Sequence, residues 1–203
     1  MKRIICFGDS NTYGYDPRSF LGGRYPREVR WVDRLGEATG MDFVNLGLNG
    51  RCIPGSAGSV RDALGSIGGS LGAGGDDGLW IMLGSNDLLM LPQATVEKVA
   101  ARMGRFVRAV QESEMGRKGS LDILLIAPPG MVLGEWCPDE ATRQASLGLG
   151  SAYRDLAQDL GIRFIDLSGE KFPLCADGVH LTEEGHRLMA ERLAAYLRKG
   201  RKE

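Results

Sequence analysis

The chain has 203 residues, 43% of them hydrophobic and 25% charged, with a net charge of −1. That length suits a single domain, residues 1–203, able to bury a core without disulfides or metals. The near-neutral balance leaves no field of either sign to attract nucleic acid or anionic lipid, and no stretch is long and apolar enough to cross a bilayer.

The apolar run after Met1-Lys2-Arg3 stops at Gly8, too short for a secretory leader. Cys6, Cys52, Cys137 and Cys175 are widely spaced and lack a C-x-x-C pair, a pattern of reduced thiols rather than a zinc site. The expectation is a cytoplasmic protein without metal or cofactor.

Ile4 to Phe7 reads as a buried parallel strand that ends at Gly8 and delivers Asp9, Ser10 and Asn11 to its carboxyl end. Open α/β sheets place their chemistry there. The Gly-, Pro-, Tyr- and Arg-rich stretch from Thr12 to Glu28 reads as a long loop. A helix follows over Val29–Thr39, ended by Gly40, and then a strand over Asp42–Leu46. Gly47 to Cys52 leaves that strand on the same rim as Ser10.

Between Gly65 and Gly78 seven of fourteen residues are glycine, which weakens any helix; the segment reads as a surface crossover or a flexible lid. Leu79–Leu83 is the third strand, running into Gly84-Ser85-Asn86-Asp87. Val96, Val99, Ala100, Met103, Phe106, Val107 and Val110 recur at helical spacing and mark a core-facing stripe. Leu121–Ala127 is the fourth strand, followed by a loop with Trp136, a helix over Glu140–Leu160 and a fifth strand over Ile162–Asp166. The last helix runs over Thr182–Leu197, with Thr182 as its N-cap. Alternating strands and helices imply a parallel sheet covered on both faces.

A serine hydroxyl needs a base, a group to orient that base, and donors for the oxyanion it generates. The chain has two histidines, His180 and His186. Asp177 precedes His180 by three residues, a spacing at which one turn brings carboxylate to imidazole. Gly8-Asp9-Ser10, the glycine of Asn49-Gly50-Arg51, Gly84-Ser85-Asn86-Asp87 and Asp177-Gly178-Val179-His180 together resemble, in order, the four signature blocks of the GDSL or SGNH hydrolase family. The opening block, Arg30-Trp31 and Leu83 to Asp87 look most like its bacterial arylesterase and acyltransferase branch.

The resemblance implies a flavodoxin-like three-layer α/β/α fold with a central five-stranded parallel sheet. It also implies ester hydrolysis or acyl transfer on small short-acyl esters, with Ser10 as nucleophile, His180 as base and Asp177 as its orienter. The oxyanion hole would comprise the Ser10 and Gly50 N–H groups and the Asn86 amide. Asn11, Trp31, Arg51, Cys52 and Trp136 are candidates for the substrate pocket, with Tyr13 also on the rim. Asp9 is expected to bond local backbone, and His186 to be structural. The implied partner is a small-molecule ester, not nucleic acid or membrane; homo-oligomerisation stays open. Two other readings are a carbohydrate O-deacetylase and a catalytically inactive ligand-binding module on the same fold. A third is a nucleotide-binding flavodoxin-like protein, although Gly8-Asp9-Ser10-Asn11 has neither the P-loop nor the dinucleotide pattern.

Overall fold

Continuous apolar runs, rather than alternating ones, are what a strand buried on both faces requires. In the computed structural model, which describes residues 3–19, 23–72, 77–118 and 121–199, those runs become a parallel sheet. In chain order the elements are β1 (Arg3–Gly8), α1 (Ser10–Tyr13), β2 (Tyr15–Asp16), β3 (Gly23–Arg24), α2 (Trp31–Thr39), β4 (Asp42–Gly47), α3 (Ala57–Gly68) and β5 (Gly78–Met82). They continue with α4 (Ser85–Met90), α5 (Val96–Glu112), α6 (Glu114–Arg117), β6 (Asp122–Ala127), α7 (Glu140–Leu160), β7 (Arg163–Asp166) and α8 (Glu183–Lys199).

The five long strands pair in the order β4-β1-β5-β6-β7, every pair parallel. This is the flavodoxin-like order, in which the connections diverge on either side of β1 and leave a crevice at the carboxyl edge. Side chains alternate between the faces with the period of the strand. Ile5, Phe7, Leu79, Ile81 and Leu125 pack with Ile67, Met103, Phe106, Val107, Leu149 and Tyr153 of α3, α5 and α7. Ile4, Cys6, Trp80, Met82, Leu124 and Ile126 pack with Trp31, Leu35, Met189 and Leu193 of α2 and α8. The result is a three-layer α/β/α fold around a five-stranded parallel sheet.

Helix α7 has the predicted bounds, and Thr182 caps α8 by accepting from the Gly185 N–H at 3.1 Å. The expected helix start at Val29 moves to Trp31, because Val29 and Arg30 turn back onto the Pro26 carbonyl. The two-strand ribbon of β2 and β3 interrupts the expected long loop.

The glycine-rich segment differs most from expectation. Gly65 and Gly68 lie within α3, which starts in a reciprocal capping box between Ser56 and Ser59 and is anchored by the fully buried Ile67. The cap and the apolar anchor outweigh the glycines' low helix propensity. Residues 73–76 lie outside the described residues. Because α3 returns the chain to the start of β5, its C-terminal end stands at the amino edge of the sheet, opposite Ser10. The lid reading is therefore corrected: this end of the crossover is on the wrong edge to cover the serine. Replacing Ile67 by alanine should cost about 2–5 kcal/mol in urea unfolding, the range for a fully buried large-to-small change. A cost near zero would show α3 to be undocked.

Candidate active site

Helix α1 places Ser10. The Asp9 carboxylate caps it, accepting from the Asn11 N–H at 3.0 Å, and Gly14 closes it in the left-handed conformation. The helix can lie across the strand ends only because Gly47 carries no side chain: a Cβ there would stand 2.0 Å from the Tyr13 nitrogen. Short helices leave unpaired carbonyls, and here neighbours take each of them. Gly14 N–H donates to Ser10 O at 2.9 Å and Trp31 Nε1 to Asn11 O at 2.9 Å. Asn45 Nδ2 donates to Thr12 O and Arg24 Nε to Tyr13 O, both at 2.7 Å.

His180 lies in the turn before α8. The Asp177 carboxylate spans that turn: Oδ1 accepts from the Val179 and His180 N–H groups, both at 2.9 Å, and Oδ2 lies 2.8 Å from His180 Nδ1. Gly178 allows the turn, with φ 81° and a position where a Cβ would meet the Val132 carbonyl at 2.1 Å. Burial pushes the Asp177 carboxyl up, but the two N–H donors and the imidazole outweigh it and hold the group below its ordinary value. With Nδ1–H directed at the carboxylate, Nε2 remains as an acceptor, and it lies 3.0 Å from Ser10 Oγ. Ser10, His180 and Asp177 thus form one buried hydrogen-bonded chain. His186 is not part of it: it is fully buried against Tyr25, and burial pushes its imidazole down to about 3.

The segments carrying Gly50 and Asn86 leave the two strands that flank β1, one on each side of the segment carrying Ser10. The Ser10 N–H is first in its helix, and neither it nor the Gly50 N–H has an acceptor among the described residues. Asn86, second residue of α4, spends one amide hydrogen on the Arg51 carbonyl at 3.1 Å and keeps the other. Arg51 donates Nη1 to the carbonyls of Gly8 and Leu46 and lies over the Phe7 ring. With Cys52, Leu48, Ile53 and Arg102 it lines a cleft of about 420 Å³.

Two pocket expectations are corrected. Trp31 is 1% exposed, its indole packed in the core and its N–H spent on Asn11 O, so it cannot wall a pocket. Asn11 is buried too, with both ends of its amide engaged: Nδ2 donates to Val179 O at 3.0 Å, and Oδ1 accepts from Leu181 N–H at 2.9 Å. Trp136 does sit at the site, its ring edge-on to His180 at 5.1 Å while it remains 48% exposed. The loop carrying it is tied to the turn between Asp177 and His180, Val132 N–H donating to Gly178 O and Trp136 N–H to Asp177 O.

Sequence reasoning missed Tyr15, whose ring lies 4.8 Å from that of His180. Tyr13, half-buried at the end of α1, lies beneath the Arg24 guanidinium. The left-handed Gly14 between them redirects the chain, and glycine after a short polar stretch was the available signal. The large hydrophobic side chains left exposed among the described residues are Leu48, Met90, Val132, Leu133 and Trp136. All lie on segments leaving the carboxyl ends of β4, β5 and β6. No cluster of three or more His, Cys, Asp or Glu suited to a metal occurs among the described residues, and no helix there is long and apolar enough to cross a membrane.

A flavodoxin-ordered α/β/α sheet with these four blocks gathered at its carboxyl edge is the architecture of SGNH hydrolases. The family model described as GDSL-like Lipase/Acylhydrolase family matches residues 6–188, and the chain belongs to that family. Among solved structures it is similar to a proposed arylesterase from Agrobacterium tumefaciens, at 31% identity and TM-score 0.83, covering 98% of this chain and 99% of the other. It is also similar to a carbohydrate acetylesterase family member from Sinorhizobium meliloti, at 27% identity and TM-score 0.82 with 98% of each chain covered. The aryl esterase of M. smegmatis shares 25% identity at TM-score 0.79, covering 98% of this chain and 99% of that one. No match is found among curated protein sequences. The chain falls in the arylesterase and acetylesterase branch, so esterase chemistry is the activity of the family to which it belongs.

Two acids lie buried beneath the site. Burial pushes the Asp9 carboxyl up to about 7, against the Asn11 N–H and Arg51, with the like charge of Asp87 adding to the rise. Burial pushes Asp87 up to about 6, against the Ile53 N–H and Arg102. Both stand above the ordinary 3.8 of an unfolded chain, so their contribution to stability is complete below about pH 4 and fades as pH rises through 6 to 7. Asp177, shifted downward, acts only below this window, but His186, pushed down to about 3, opposes the two acids: its neutral buried ring favours the fold above the ordinary 6.5 and loses that stability as pH falls. The acid contribution is therefore read as a difference: the Tm of Asp9→Asn relative to wild type should rise by several degrees between pH 5 and 8. Thermal scans of both proteins across that range check this, and a difference independent of pH would contradict it.

Proposed function

We propose that the protein is a single-domain serine esterase or acyltransferase that cleaves small, short-acyl aryl or alkyl esters through an acyl-enzyme on Ser10. The observation that carries this is the continuous chain from Ser10 Oγ through His180 to Asp177, beside donors that have no acceptor of their own. His180 Nε2 takes the hydroxyl proton as Oγ adds to the ester carbonyl. The oxygen that gains the charge is held by the Ser10 and Gly50 N–H groups and the Asn86 amide. His180 then gives the proton to the departing alkoxide, and the acyl group stays on Ser10. Water or an alcohol, deprotonated by the same imidazole, attacks the acyl carbonyl and restores the serine. Asp177 holds the Nδ1–H tautomer throughout.

The exposed apolar side chains around the crevice favour an apolar alcohol portion, and Trp136 and Tyr15 flank the imidazole where the leaving group departs. Arg51 and Cys52 line the neighbouring cleft, on the side of Gly50. The four free thiols support a reducing compartment, hence the cytoplasm. A second reading, carbohydrate O-deacetylation, is favoured by the similarity to the S. meliloti acetylesterase family member. The apolar rim argues for the first.

Activity on aryl, alkyl and sugar esters of graded acyl length, with and without added alcohol, tests the proposal. A deep groove would gain about 0.8 kcal/mol per buried methylene; here kcat/KM should peak at acetate to butyrate and fall by octanoate. A continued rise would sink the short-acyl reading, and a preference for sugar acetates would favour the second. Ser10→Ala should abolish turnover and labelling by a serine-directed phosphonate. Asn86→Ala should lower kcat by about 10²–10³ with little change in KM, as expected for an oxyanion donor; an effect on KM alone would make Asn86 a substrate contact.

A further inference from the structure

Asp177 and His180 belong to one turn and find each other locally. Ser10 is 170 residues away on another element, and a single 3.0 Å side-chain contact is little to hold two elements in register. The Asn11 side chain makes the covalent neighbour of Ser10 the partner of both covalent neighbours of His180: Nδ2 binds Val179 O and Oδ1 binds Leu181 N–H. The carbonyl before His180 and the N–H after it both face α1, so one amide bridges the two. An asparagine amide carries a donor and an acceptor on neighbouring atoms of one planar group, with a shorter reach than glutamine.

The other end of the bridge is equally fixed. Asn11 N–H donates to the Asp9 carboxylate, and Asn11 O accepts from the buried Trp31 indole. The side chain of this buried residue thus joins α1 to the histidine turn, while its backbone is held by Asp9 and Trp31. We infer that Asn11 is a positioning residue that sets the distance between Ser10 Oγ and His180 Nε2. This rests on the reading of Ser10 as nucleophile and His180 as base.

Asn11→Ala should lower kcat per titrated active site by about 10²-fold, the cost of roughly 1 Å of misplacement at reacting atoms. KM should stay within about threefold, because the amide faces no substrate. Phosphonate inactivation should slow in step with kcat. The low-field proton resonance of His180 Nδ1–H should persist, because the Asp177–His180 pair forms without Asn11. A purely structural role would lower Tm without changing kcat per titrated site. If Asn11→Ala does not fold, Asn11→Asp decides: it keeps the acceptor for Leu181, loses the donor to Val179, and should show the same split. Wild-type kcat in the folded variant, an effect confined to KM, or loss of the low-field proton would each overturn the inference. An active Ser10→Ala control would instead overturn the reading on which it rests.

Discussion

In-register parallel pairing of β1 with β4 on one side and β5 on the other sets the level at which three loops leave the sheet. Gly8 stands opposite Gly47 and Met82, so the segments carrying Gly50 and Asn86 each begin one strand spacing from the segment carrying Ser10, on either side of it. A one-residue slip of β1 would turn Ile5 and Phe7 away from the α3/α5/α7 layer and Ile4 and Cys6 away from the α2/α8 layer. The same apolar alternation that stabilises the core therefore aligns the donors. The histidine turn is the one part of the site outside this register, and the Asn11 amide ties it in.

The charge arrangement below the site is unusual for its density of buried acid. Asp9 and Asp87 each hold a backbone N–H of the site, at Asn11 and Ile53, and each has an arginine, Arg51 or Arg102, in its field. Both arginines in turn grip carbonyls, Arg51 those of Gly8 and Leu46 and Arg102 that of Ile53. A buried carboxylate is costly unless it is paired or hydrogen-bonded. The network offsets part of that cost and leaves the rest visible as raised carboxyl values. In exchange the loop around Gly50 and the start of α1 are fixed from beneath, which preorganises the N–H groups left unpaired.

Above the site the surroundings are apolar. Tyr15 and Trp136 contact the His180 ring, and the loop carrying Trp136 is hydrogen-bonded to the turn that bears Asp177. Water is thereby excluded from much of the imidazole, and a hydrogen bond in a drier site is stronger.

The strands, α5, α7, α8 and the four blocks were legible in the sequence because each depends on local pattern: apolar runs stopped by glycine, a helical stripe, and an acid three residues before a histidine. Helices of four and six residues, α1 and α4, are too short for periodicity to show, and α3 was hidden by glycines that its cap and Ile67 outweigh. Trp31 and Asn11 carried the right residue types near the right place, yet the sequence could not say which way they face. Burial and pairing depend on neighbours far along the chain, such as Val179 and Leu181 for Asn11. By itself, then, the sequence determined the layered α/β class and named the candidate residues for serine chemistry. Only the tertiary structure decided that Asn11 and Trp31 brace the site while Tyr15 and Trp136 face it, because orientation is set by long-range packing and hydrogen bonding that no local pattern encodes.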